Sequence, residues 1–144
     1  MMDVRQMNTT ALAYIGDAVY ETYVRQYVMH DNASNVDVLH KRAVAFVRAD
    51  GQAFAIKKFV REKEDIEAPS EGAFRLTDDE AAIVRRARNH KISSKAKNAD
   101  AMTYKWATAF EALVGYLYLL EEKERLELMI NTAISAIEKE RSQK

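Results

Sequence analysis

Two acidic residues stand where a helix buries apolar side chains. Asp17 interrupts AYIGDAVYE between Ile15 and Val19, and Glu111 interrupts TAFEALVGY, in the most apolar stretch of the chain. An ionised carboxylate in such surroundings is costly unless it is paired, hydrogen-bonded or bound to a metal. Each acid has a glycine at hand: Gly16 adjoins Asp17, and Gly115 lies one turn beyond Glu111. A mid-helix glycine costs about 1 kcal/mol relative to alanine, and close approach of a second helix is one reason to carry it. If the two helices cross at these glycines, Asp17 and Glu111 meet there on rigid elements. Taken singly, each acid also fits the rim of a core or an ion pair with a lysine, and each glycine fits ordinary packing. The shared setting of the pair is what marks these two acids as candidates for chemistry. Glu21, one turn after Asp17, is a third candidate, with an ion pair to Arg25 as its structural alternative.

The elements that must position these acids are helical. The 144 residues include only four glycines and one proline, too few for an all-β chain with many turns. A first helix is predicted from about Thr10 to Met29, capped by Asn8 or Thr9, with Leu12, Ile15, Val19, Tyr23 and Tyr27 on one face. Ser34 is positioned to cap a second helix, with Val36, Leu39, Ala43, Phe46 and Val47 as its apolar stripe. Asp50 and Gly51 mark a break or kink before a third helix that ends near Lys63. The segment from Glu64 to Leu76 reads as a loop. Thr77 and Glu80 form a capping box for a fourth helix ending near His90. Lys91 to Ala101 reads as a long exposed loop, and a helix from Thr103 through WATAFEALVGYLYLLE is apolar nearly all round, hence central. A last amphipathic helix starts near Glu122 and frays from Glu138. The expectation is an all-α fold of about six helices in a single domain over residues 1–144.

Composition narrows the partners. There are no cysteines, so any metal is held by oxygen or nitrogen. No apolar run reaches the roughly 18–20 residues that span a bilayer, and the N-terminal residues lack the pattern of a signal peptide. A cytoplasmic protein with no membrane partner is expected. Lys+Arg and Asp+Glu are equal at 22 each, yet the charges are segregated. Residues 62–80 are acidic, whereas residues 85–105 carry Arg85, Arg86, Arg88, Lys91, Lys95, Lys97 and Lys105 against Asp100 alone. A neutral total therefore conceals a basic face of the kind that meets a phosphate backbone.

The segments ALAYIGDAVYE and FEALVGYLYL resemble the two catalytic helices of ribonuclease III. The similarity to its smaller Mini-ribonuclease III subfamily covers nearly the whole chain, adding LHKRA at 39–43 and the basic stretch at 86–98. The resemblance implies a helical ribonuclease III-type catalytic domain that cuts double-stranded RNA as a magnesium-dependent endonuclease. Asp17 and Glu111 are then the catalytic, magnesium-binding acids, and the products carry 5′-phosphate and 3′-hydroxyl ends. Full-length ribonuclease III has a further acid one turn before each of these; Ala13 and Thr108 stand there instead, as is characteristic of the Mini subfamily. One well-held magnesium is expected, with any second ion held largely by water and RNA.

The resemblance also implies a homodimer around the first helix, whose two sites cut both strands of a duplex. Tyr14, Val19, Tyr20, Tyr23 and Tyr27 suit either an interface or a core. Arg85, Arg86, Arg88, His90, Lys91, Lys95 and Lys97 are the candidate RNA-binding residues, with Ser93, Ser94 and Asn98 as additional donors. Lys41, Arg42, Arg48 and Lys57 are more ambiguous. The substrate implied by the subfamily is the 23S ribosomal RNA precursor. A catalytically silent RNA-binding module on the same fold and an unrelated helical interaction domain are the competing readings.

Overall fold

The computed structural model describes residues 3–31, 35–65, 74–90 and 99–143. Among these a short 3-10 turn, Val4–Gln6, precedes six α-helices and no strand: α1 (Thr9–Val28), α2 (Val36–Val47), α3 (Ala49–Glu64), α4 (Asp78–Arg88), α5 (Ala99–Leu119) and α6 (Lys123–Ser142). No helix of the described residues is long and apolar enough to cross a membrane.

α5 is the axis of the structure. Phe110, Leu113 and Val114 are fully buried, and α5 packs against α1, α3, α4 and α6. Its apolar character on nearly every side follows from having neighbours on every side. α5 ends in a Schellman turn: Glu121 adopts a positive φ of 60°, its N–H bonds the Tyr118 carbonyl, and the Glu122 N–H bonds that of Leu117. A glutamate in that left-handed position is strained by about 1–2 kcal/mol, which the two terminal bonds and the burial of Leu117 and Leu126 offset.

Local signals set most boundaries. The Asn8 side chain caps α1 through the Thr10 N–H, and Thr77 and Glu80 close the capping box of α4. α2 is capped by Asn35; Ser34, the expected cap, lies outside the described residues. The break between α2 and α3 falls at Arg48, whose extended ψ of 149° turns the chain. Asp50 and Gly51 lie inside the first turn of α3. Gly51 serves packing there, since a Cβ would come 2.6 Å from the Ala45 carbonyl oxygen. α6 runs to Ser142 instead of fraying at Glu138, held on α1 by the hydrogen bond from Tyr27 to Glu138.

The buried stripe of α1 is rotated from the expected one. Leu12, Ala13, Gly16, Tyr20, Val24 and Val28 face the core, whereas Ile15, Val19 and Tyr23 are half-buried and Tyr27 is exposed. The cause is that α1 has two neighbours. Its N-terminal half lies on α5, while Tyr23 and Tyr27 reach sideways to Glu127 and Glu138 of α6. Tyr20 is fully buried, edge-on to Phe110 at 4.8 Å, and its hydroxyl donates to the Phe46 carbonyl at 2.9 Å.

Candidate active site

α1 and α5 cross in direct backbone contact. A Cβ added to Gly16 would overlap the Glu111 carbonyl oxygen and lie 2.8 Å from the Gly115 nitrogen. One added to Gly115 would overlap the Leu12 carbonyl oxygen and lie 2.9 Å from the Ile15 side chain. Only glycine permits this approach at both positions. The crossing is the one the two glycines predicted, and it carries Asp17 and Glu111 into hydrogen-bond contact with each other.

The two acids are not equivalent. Asp17 is exposed, contrary to the expectation that it is enclosed by apolar groups, because position 17 lies on the outward flank of α1. Glu111 is half-buried, and its pKa is pushed up to about 8, first by burial and then by the hydrogen bond and charge of Asp17. Two carboxylates in contact cannot both ionise cheaply, so Glu111 keeps its proton and donates it to the Asp17 carboxylate. One group opposes this: the Gln52 carboxamide of α3 hydrogen-bonds the Glu111 carboxylate and favours its ionised form. Gln52 is only 3 % exposed. Sequence reasoning passed over it; the available signal was an amide beside Gly51 in a run that is otherwise apolar on its inner face.

The donor set fits a hard divalent cation. It is made of carboxylate oxygen, and a cation bound there would offset the burial and the Asp17 charge that together raise the Glu111 pKa. Ala13 is buried and Thr108 is half-buried, so neither position adds an acid. Among the described residues no group of three or more His, Cys, Asp or Glu converges. Glu21 is not part of it: its carboxylate pairs with Arg25 at 3.0 Å.

Against known proteins, residues 10–122 match the family model described as the Ribonuclease III domain. The chain belongs to the ribonuclease III family. Within that family it groups with the Mini-ribonuclease III branch. It is 42 % identical over 137 residues to the Mini-ribonuclease 3 of Clostridium tetani, covering 94 % of this chain and 82 % of that one. It is 40 % identical to the Mini-ribonuclease 3 of Enterococcus faecalis, over 95 % and 96 % of the two chains. The crystal structure of protein FN1578 from Fusobacterium nucleatum is similar at a TM-score of 0.73 and 30 % identity, over 94 % of this chain and 98 % of that one. As a member of this family the protein is an endoribonuclease.

For this ribonuclease III-family protein, the basic residues separate into distinct roles. Arg85 is exposed on α4 and lines a cleft of about 420 Å³ between α3, α4 and α5. Arg88 stands 5.2 Å over the Trp106 ring, with the Lys57 ammonium 6.0 Å from the same ring. Trp106 thus organises two cations from different helices, and Lys57 joins a cluster the sequence left ambiguous. Arg86 is committed elsewhere: its guanidinium donates to the carbonyls of Arg5 at 2.8 Å and Met7 at 2.6 Å, fastening the N-terminal turn to α4. His90 is exposed just past the end of α4. Lys91, Lys95 and Lys97, with Ser93, Ser94 and Asn98, lie outside the described residues.

Of the side chains expected at a dimer interface, Tyr20 is core, and Tyr23 and Tyr27 bond to α6. Tyr14 is 84 % exposed, on the same flank as Asp17. Met29 and Val36 add exposed apolar surface at the other end of α1 and the start of α2.

Proposed function

We propose that this ribonuclease III-family protein hydrolyses double-stranded RNA with magnesium held by Asp17 and Glu111. The observation that carries this reading is the contact of the two carboxylates at a crossing spaced by Gly16 and Gly115. Held by these two acids, magnesium would supply the charge that activates water and stabilises the departing 3′ oxygen. The residues of the chain do the rest. Asp17, on the open flank, offers its carboxylate from the solvent side. Glu111, beneath it, holds a proton with a pKa raised to about 8 and would give it up on binding the cation. The glycine crossing sets the separation of the two acids through backbone contact, so little reorganisation accompanies binding.

The duplex would lie across the basic residues of α3 and α4, with Arg85, Arg88 and Lys57 on phosphates and His90 near them, and Lys91, Lys95 and Lys97 are proposed as RNA contacts from the sequence alone. Arg86 contributes less, since both ends of its guanidinium are taken. A homodimer places two such sites on one duplex and cuts both strands, and the exposed Tyr14, Met29 and Val36 support an interface on the α1–α2 side. The proposed substrate is the 23S ribosomal RNA precursor and the proposed location the cytoplasm, both from the Mini-ribonuclease III kinship.

The test is an end-labelled duplex RNA and its single strand incubated with the protein in magnesium or EDTA, run on a denaturing gel. Discrete products from the duplex alone, present only with magnesium, are expected. A folded protein that binds duplex without cutting it would favour the silent RNA-binding module. Magnesium titration of the single-turnover rate is expected to follow a Hill slope near one. Sedimentation at micromolar concentration is expected to give a dimer; a monomer overturns the two-strand scheme.

A further inference from the structure

Three polar side chains are buried among the described residues: Thr9, Gln52 and Glu80. Glu80 is answered by Arg125 at 2.6 Å. Gln52 sits one turn into α3, at a position where methionine or leucine would fill the same space without the cost of burying an amide, about 1–3 kcal/mol when unpaired. Its amide nitrogen carries two hydrogens. One is directed at the Val47 carbonyl, 3.4 Å away, the last residue of α2. That carbonyl lies in the final turn of its helix, where carbonyls lack partners within the helix. The other direction serves the Glu111 carboxylate on α5. A single carboxamide therefore joins the end of α2, the start of α3 and the acidic site on α5.

The bond to Val47 fixes the amide, and burial denies it other rotamers. Gly51, immediately before it, lets α3 start close against Ala45 and so brings position 52 inward. We propose that Gln52 is a positioning residue for the metal ligand Glu111, its carboxamide holding the carboxylate turned toward Asp17. This rests on the assignment of Glu111 as a magnesium ligand. Partners one layer out from a metal orient its ligands, and their loss commonly weakens metal binding by about 10–100-fold.

The test uses manganese as the probe, titrated into the RNA-free protein and followed by electron paramagnetic resonance, for wild type and Gln52→Met. Thermal melting and duplex binding in EDTA are measured alongside. Gln52→Met is expected to weaken manganese binding by about tenfold or more and to raise the half-saturating magnesium for cleavage similarly. Its cleavage rate at saturating magnesium should recover toward wild type, and its duplex affinity in EDTA should match wild type. If Gln52→Met fails to fold, Gln52→Asn carries the same comparison, because its shorter amide falls away from Glu111. A lowered melting temperature with unchanged manganese affinity would mean that Gln52 serves only packing and would overturn the proposal. A wild type that neither binds manganese nor cuts duplex overturns the magnesium assignment itself, a separate result from an unaffected variant.

Discussion

Two regions of this molecule hold a wholly or partly buried glutamate against a neighbouring helix, and they resolve its charge in opposite ways. Glu80, at the start of α4, is 4 % exposed and fully occupied. It accepts the Thr77 N–H at 2.8 Å and two bonds from the Arg125 guanidinium at 2.9 and 2.6 Å. Arg125 itself lies 4.0 Å over the Phe74 ring and also donates to the Arg75 carbonyl. Glu111 is paired with no cation among the described residues. Its neighbours are another carboxylate and one amide, and it keeps a proton to remain there. The first arrangement is a finished structural joint. The second leaves a place that the proposed magnesium would fill, which is the difference between an acid that holds a fold and one suited to the proposed catalytic role.

The comparison breaks most visibly in activity. Asp17→Asn and Glu111→Gln are each expected to lower duplex cleavage by at least about 10³-fold, a barrier change of about 4 kcal/mol, with circular dichroism unchanged. Wild-type cleavage by either variant would remove the site. Arg125→Met strikes the other joint. It leaves the Glu80 carboxylate buried without its cation, so urea unfolding should show a loss of about 3 kcal/mol. The surviving folded fraction should cleave normally; reduced cleavage per folded molecule would mean that the two regions are not independent.

The smallest effect sharpens the contrast. Glu111 binds its proton more tightly folded, at about 8, than unfolded, at 4.5. Metal-free stability is therefore full below pH 4.5 and is lost as pH rises through 8. Glu111→Gln, neutral throughout, should lack that decline and at pH 8.5 be more stable than metal-free wild type by on the order of 2 kcal/mol. Added magnesium should then stabilise wild type and leave the variant unmoved. Parallel melting curves for the two proteins across this pH range would show that the proton is not held.

The sequence spoke clearly where one local rule decides. The Thr77–Glu80 box, the all-round apolarity of α5 and the Gly16–Gly115 pairing each carry their meaning within a few residues, and each stands in the structure as expected. It was less legible where two neighbours compete for one helix. The face of α1 was misjudged by part of a turn because α5 and α6 both draw on it, and periodicity alone does not apportion a stripe between them. Gln52 and Trp106 were passed over because each acts across helices, on Glu111 in one case and on Lys57 and Arg88 in the other. Arg86 was read as part of a basic run, yet its partners are main-chain carbonyls about eighty positions earlier.

The glycine crossing has a consequence for how this sequence can drift. Gly16 and Gly115 have no side chain to offer a ligand, yet each faces main chain, which cannot be trimmed to make room by a compensating substitution. A lineage can exchange most core side chains in pairs, large for small, but it has no such partner change to offer at these two positions. In a selection for cutting they should be nearly as invariant as the proposed catalytic acids Asp17 and Glu111, and a survey of tolerated substitutions would trace the proposed site partly by residues that have no side chain to lose.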